Sequence, residues 1–410
     1  MYKAPMQTSV SSTPSQPKSQ VMLFFLGAFV TALGTHTFPS SGLAFMSQAG
    51  LSLAAIGGIM MSNRLATVLV NLFLGDWIDR KNPAYLIGGA ELINVLVTLT
   101  LIAVWPDVTN LLLVFIVAVF CRSTLIALTL PCQQKIIKGM TENHPEKIKP
   151  YTILINWVNY GSGIFAAAIA FYAIKYRSFE FVLWIDGLTF IVNGILIFVG
   201  FRYSTFQSLA KGSLNPFKPF KKFFELNRLD PKLFWADIFL HLSVFGTNIF
   251  MIRLVRGQVE NIPILLISFA LAVWVSTFLL HKFDPLRIVK ISWFFLPVSF
   301  LWLLLAPPSL GGQLAGVFLR NICYWNIFTH HSVQIQRGSA STNIVQLTSA
   351  RTALNTLILG VGELLMGYLS NFISIETELL VRVGLGVAFA FYTIALRPRS
   401  ESLLVQTPAK

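Results

Sequence analysis

Twelve stretches of about 18 to 25 mostly apolar residues, separated by short polar breaks, limit what this chain can become. They begin near Val21, Leu51, Ala84, Asn110, Tyr151 and Phe179, and again near Leu233, Asn261, Leu286, Gly311, Asn343 and Thr377. At about 1.5 Å per residue, each stretch is long enough to cross roughly 30 Å of hydrocarbon. A backbone in hydrocarbon must satisfy its own N–H and C=O groups, so the stretches are read as helices. Composition agrees: 55% hydrophobic residues, 35 Phe and only 12% charged residues are more apolar surface than a water-soluble fold of 410 residues can bury. The expected fold class is an all-α membrane protein, with twelve transmembrane helices in two pseudo-symmetric six-helix bundles.

The expected layout is a disordered tail over 1–20, a first bundle over 21–201, a polar central loop over 202–232, a second bundle over 233–398 and a short tail over 399–410. In the central loop, Phe and Lys interleave from Phe217 to Phe224, a pattern suited either to a segment lying on anionic headgroups or to a plain linker. Lys and Arg concentrate on one side of the spans, leaving only Lys175, Arg177, Arg253 and Arg256 on the other. The positive-inside rule then puts both termini in the cytoplasm, with the chain a multi-pass protein of the cell inner (plasma) membrane. The net charge of +14 follows from those short loops rather than from a basic face for nucleic acid, so no nucleic-acid partner is expected. Cys121, Cys132 and Cys323 all fall in apolar runs and are expected to be reduced thiols.

The halves repeat each other. Val119-Phe120-Cys121-Arg122 in span 4 recurs as Val317-Phe318-Leu319-Arg320 in span 10, and Asn156, Gly161 and Gly163 recur in span 11 as Asn355, Gly360 and Gly362. The offsets are 198 and 199, as expected for parallel repeats.

Between spans 2 and 3 lies a charged turn, Gly75-Asp76-Trp77-Ile78-Asp79-Arg80-Lys81-Asn82. With this turn the chain resembles the major facilitator superfamily of transporters, whose corresponding loop reads Gly-x-x-x-Asp-Arg followed by basic residues. Trp184-Ile185-Asp186-Gly187-Leu188-Thr189-Phe190 and Leu130-Pro131 with Gln133 are similar to strings of the proton-driven drug and siderophore efflux branch. The resemblance implies alternating access, export of a small amphipathic organic solute by proton antiport, and a gate formed by Gly75, Asp79, Arg80 and Lys81. An importer or lipid flippase of the same fold is the alternative. A metal exporter resembling ferroportin and a non-transporting receptor are further ones.

Ionisable groups inside spans cost at least about 2.5 kcal/mol unless paired, hydrated or functional, which makes them the candidates. The superfamily resemblance implies that Arg122 pairs with Asp79 or with an acid on another span of the first half, such as Glu91, and Glu363 is expected to pair with Arg320. His36, Arg64, Asp237, His241, Asn156 and Asn355 are cavity candidates, with Asp237 and His241 one turn apart on one helix face. Asp186 and Arg382, near span ends, are read as interfacial. His330 and His331 point about 100° apart, which argues against a shared metal. No cofactor and no resident metal are expected. No phosphate-binding loop and no nucleophilic triad is present, so the chain reads as a non-enzyme. The expected partners are a small-molecule substrate, protons and the bilayer, with the protein acting as a monomer.

Overall fold

The computed structural model describes residues 18–104, 111–141, 147–201, 231–255, 257–306, 309–338 and 344–395. The tails and the central loop, with its Phe/Lys segment, lie outside the described residues apart from their edges.

Every element among the described residues is helical. The first half comprises α1 (Lys18–Gln48), α2 (Leu53–Leu69), a π-helical turn (Val70–Leu74) running into α3 (Gly75–Arg80), α4 (Pro83–Val104), α5 (Leu111–Met140), α6 (Ile148–Tyr176) and α7 (Phe179–Phe201). The second half comprises α8 (Pro231–Ser243), α9 (Thr247–Leu254), α10 (Asn261–Lys282), α11 (Pro285–Leu305), α12 (Leu310–Gly338), α13 (Ile344–Leu369) and α14 (Ile375–Ala395). Counting α2 with its π-turn and α3, and α8 with α9, as single spans gives twelve crossings. Ten of them are long and apolar enough to span a bilayer by composition alone.

Local chemistry sets the ends. Ser52 caps α2 by accepting the Ala55 N–H at 3.2 Å. Asn82 and Asp284 cap the next helices along, accepting the N–H of Ala84 at 2.9 Å and of Leu286 at 3.0 Å, each beside a proline that needs no donor partner. Large apolar side chains such as Leu92, Phe294, Leu305 and Phe391 point outward, as a surface facing lipid requires. The apolar core is built from aromatic and aliphatic groups between helices, with Phe179 meeting Phe38, Phe45 and Phe115.

Packing follows the repeat. In the first half α1 packs on α6 and α7, and α4 on α5 and α7. In the second, the span formed by α8 and α9 packs on α13 and α14, and α11 on α12 and α14. The halves meet chiefly through α2 with α13 and through α6 with α10, two contacts related by the same exchange of halves. Glycines make both contacts close. A β-carbon at Gly57 would lie 2.5 Å from the Glu363 carbonyl oxygen, and one at Gly367 would lie 2.5 Å from the Leu53 carbonyl oxygen. One at Gly161 would lie 2.5 Å from the Trp274 ring, which stacks on Trp157.

Candidate translocation path

Among the described residues, three buried clusters built on ion pairs interrupt the apolar interior. The first lies inside the first half. Arg122 on α5 pairs with an acid on another span of the first half, as expected, but that acid is Asp186 on α7 rather than Glu91. Arg122 Nη1 bonds Asp186 Oδ2, Nη2 donates to Oδ1 at 3.0 Å, and Nη1 also donates to the Thr98 hydroxyl at 3.0 Å. The guanidinium is covered by the rings of Phe38 at 4.0 Å and Phe190 at 5.0 Å. Asp186 is therefore not interfacial: it is fully buried, because α7 turns this face toward α4 and α5.

Glu91, also buried, forms no salt bridge among the described residues. Thr31 on α1 and Asn193 on α7 both donate to its Oε1, at 3.0 and 2.5 Å, while Oε2 has no partner among the described residues. One turn along α4, Asn94 is buried with both amide atoms unpartnered.

The second cluster joins α8, α12 and α13 in the second half. Arg351 clasps Asp237 through Nε to Oδ2 at 2.8 Å and Nη2 to Oδ1 at 2.6 Å, the two-pronged geometry of a strong ion pair. Asn355 adds a third donor to Oδ2 at 2.8 Å, and His331 Nδ1 stands 3.3 Å from Oδ1. His241 Nδ1 lies 2.7 Å from the Asp237 backbone carbonyl. A carbonyl only accepts, so Nδ1 carries the hydrogen and Nε2 is left facing the Tyr324 hydroxyl at 3.1 Å. Sequence reasoning singled out Asp237, His241 and Asn355 here. It counted Arg351 and His331 among the ionisable groups inside spans but gave neither a role here, although Arg351 sits one turn before Asn355 on the same face.

The third cluster sits where the seventh span breaks. Between α8 and α9 the backbone turns through Gly246 at φ +62°, a left-handed conformation suited to glycine. The break frees carbonyls at the end of α8 and N–H groups at the start of α9. Arg382 donates to the Phe245 carbonyl at 2.8 Å and to the Ser243 carbonyl at 3.4 Å, while Glu363 accepts the N–H groups of Asn248 at 3.0 Å and Ile249 at 3.2 Å. Each charge has the sign that its helix end favours. Glu378 completes the cluster, bonding Arg382 at 2.6 Å and also Arg253.

Two expectations are overturned here. Arg320 is not the partner of Glu363, whose oxygens are taken by backbone; among the described residues Arg320 bonds only the side chain of Asn321. Arg382 is fully buried rather than interfacial, because the broken span supplies acceptors at its depth.

The remaining candidates are scattered. His36 on α1 donates through Nε2 to the Asn159 carbonyl of α6 at 2.7 Å. Arg64 is half-buried on α2, its stem against Gly360 of α13 across the boundary between halves. In the charged turn Gly75 begins α3, Arg80 and Lys81 are exposed, and the Lys81 carbonyl accepts Lys135 Nζ of α5 at 2.8 Å, a contact within the first half. The side chains of Asp79 and Asn156 lie outside the described residues.

The sequence profile of the Major Facilitator Superfamily matches residues 23–362, most of the described helices. The chain belongs to the major facilitator superfamily. Major facilitators are transporters rather than enzymes, and this one is a multi-pass membrane protein. Among solved structures, its fold is similar to a bacterial homolog of the human lysosomal transporter Spinster in an inward-facing, unoccupied conformation. That match has a TM-score of 0.69 at 15% identity and covers 97% of this chain and 100% of the other. The nucleoside transporter NupG, in a mutant form, matches with a TM-score of 0.68 at 14% identity over 92% and 99% of the two chains. The human organic anion transporter MFSD10 matches with a TM-score of 0.65 at 14% identity over 92% and 100%. A comparison with curated proteins by sequence found no match. At such identities the likeness of this major facilitator to the solved structures is one of fold.

Proposed function

We propose that this major facilitator exports a small amphipathic organic solute in exchange for protons, with its two halves rocking about the α2–α13 and α6–α10 contacts. The observation that carries the reading is the Asp237 cluster. A single buried carboxylate is shared by Arg351, Asn355 and an imidazole, on a span that is broken farther along. A proton arriving at Asp237 releases Arg351, and a freed guanidinium changes how α13 sits against α8. Because α13 also packs on α2 of the other half, the rearrangement reaches the contact that holds one end of the path shut.

With both termini in the cytoplasm, the glycine-packed end around Gly57 and Gly367 faces outward and closes the outer side. The Gly75, Asp79, Arg80 and Lys81 turn then gates the cytoplasmic side. The relatives of similar fold, named for nucleosides, a lysosomal transporter and organic anions, are consistent with an organic cargo.

The test begins with a thermal-shift screen of the purified protein against drugs, siderophores, lysolipids and divalent metals. The best stabiliser is then loaded into vesicles containing the protein. An imposed pH gradient should drive its movement, and Asp237→Asn should leave gradient-independent exchange while removing the drive. Transport indifferent to the gradient in both proteins would overturn the proton coupling, and movement of a metal alone would replace the organic cargo.

A further inference from the structure

Among the described residues, four arginines are almost wholly buried: Arg122, Arg320, Arg351 and Arg382. Three have carboxylates, in Asp186, Asp237 and Glu378. Arg320 has none among the described residues. Its Nε and Nη2 donate to Asn321 Oδ1 at 3.1 and 2.6 Å, and its Nη1 has no acceptor among the described residues. The repeat explains the missing acid. The offsets of 198 and 199 that relate the halves carry Asp186 to Gly384 and Leu385, and the 196 between the starts of α7 and α14 carries it to Arg382, so none of these registers gives the second half the carboxylate that neutralises Arg122. Glu363 is within electrostatic reach, but its oxygens are held by the start of α9, and Arg382 adds a further positive charge.

The unpartnered buried atoms near Arg320 on α12 are all donors. They are Arg320 Nη1, Asn321 Nδ2 and Trp325 Nε1. Asn321 and Trp325 are one turn apart and share a helix face. That face looks toward the other half: the Trp325 ring meets Tyr160 of α6 edge-on at 5.1 Å, and it meets Phe269 of α10 at 5.5 Å.

We infer that Arg320, Asn321 and Trp325 form an anion site on the path between the halves, which receives the acidic group of an aromatic or otherwise amphipathic organic anion. A guanidinium, an amide and an indole N–H supply charge and direction, while Tyr160, Phe269 and Trp325 supply apolar wall. The cargo class rests on the transport reading above. The site itself does not: a free inorganic anion offers the same acceptor chemistry.

Binding to purified protein in detergent tests the site without any transport, so a failure of transport in vesicles does not bear on it. Thermal stability is titrated at constant ionic strength with naphthoate, its uncharged methyl ester, chloride and sulfate. Naphthoate is expected to stabilise the wild type and the ester to fail. Arg320→Gln is expected to weaken the naphthoate midpoint by at least about tenfold, and Arg320→Lys by less. In anion-free buffer Arg320→Gln should melt no lower than wild type, because it removes an uncompensated charge. Stabilisation by naphthoate but not chloride assigns the site to the solute, whereas equal stabilisation assigns it to an inorganic ion; both keep the anion site. Equal shifts from acid and ester, or an acid shift unchanged in Arg320→Gln, overturn it. Should Arg320→Gln not fold, Trp325→Phe, which removes one donor and keeps the ring, must weaken the naphthoate midpoint several-fold, and no change there overturns the site as well.

Discussion

Arg122 and Asp186, 64 positions apart, meet fork to fork in the interior of the first half, with Nη2 donating to Oδ1 at 3.0 Å and Nη1 bonding Oδ2. Removing the arginine strands a buried carboxylate, and removing both groups does not. Arg122→Leu is therefore expected to cost about 3–5 kcal/mol of stability, and Arg122→Leu combined with Asp186→Leu to recover most of it. Thermal unfolding in detergent reads both variants. A double variant as unstable as the single one would mean that the pair contributes through shape rather than charge.

Glu91 makes the opposite case. Its hydrogen bonds from Thr31 and Asn193 end on one oxygen, and no cation among the described residues forms a salt bridge with it. Glu91→Gln keeps an acceptor for both donors and removes the cost of a lone charge in hydrocarbon. The expected result is an unfolding temperature equal to or above wild type, whereas Glu91→Ala, which strands Thr31 and Asn193, should lower it by about 1–3 kcal/mol in stability. A large loss in the glutamine variant would show that the charge itself is needed there.

The twelve spans and the repeat were legible in the sequence because they depend on run length and spacing, which the chain states directly. Gly161 and Gly163 with Gly360 and Gly362 marked equivalent helices, and both pairs lie at contacts with a neighbouring span of the second half or across the halves. Which acid of the first half meets Arg122, and what holds Glu363, were not legible. Which helix faces which, and at what rotation, is set by packing rather than by position along a span. Asp186 and Arg382 sit about two turns from their helix starts and so looked interfacial. They are buried because Arg122 and the broken seventh span reach them. Gly246 gave no warning of that break, since a lone glycine in an apolar run reads equally well as a close-packing site.

The broken span yields a third prediction. Glu363 satisfies two N–H groups at the start of α9, and Arg382 satisfies carbonyls at the end of α8. Glu363→Ala leaves two buried donors without acceptors, at about 1–3 kcal/mol each, so the loss should exceed that of Glu363→Gln, whose remaining oxygen keeps one bond. Hydrogen exchange at the amides of Asn248 and Ile249 should rise in the alanine variant and rise less in the glutamine variant. Unchanged protection in both would show that the N–H groups do not depend on Glu363.

The closure between the halves gives the last. At Gly57 and Gly367 any side chain would strike backbone of the opposite half, 2.5 Å from the carbonyl oxygens of Glu363 and Leu53. Backbone cannot rotate away as a side-chain tip can, so the helices must separate. Gly57→Val and Gly367→Val are therefore expected to shift the protein from the closed arrangement of α2 and α13 toward one in which that end is open. A valine at Gly58, where a β-carbon meets nothing, supplies a matched control on the same helix. Distances between spin labels at the start of α2 and the end of α13 should lengthen in the first two variants and stay fixed in the control. If all three behave alike, the glycines serve helix packing in general, and the α2–α13 seam is not the element that moves.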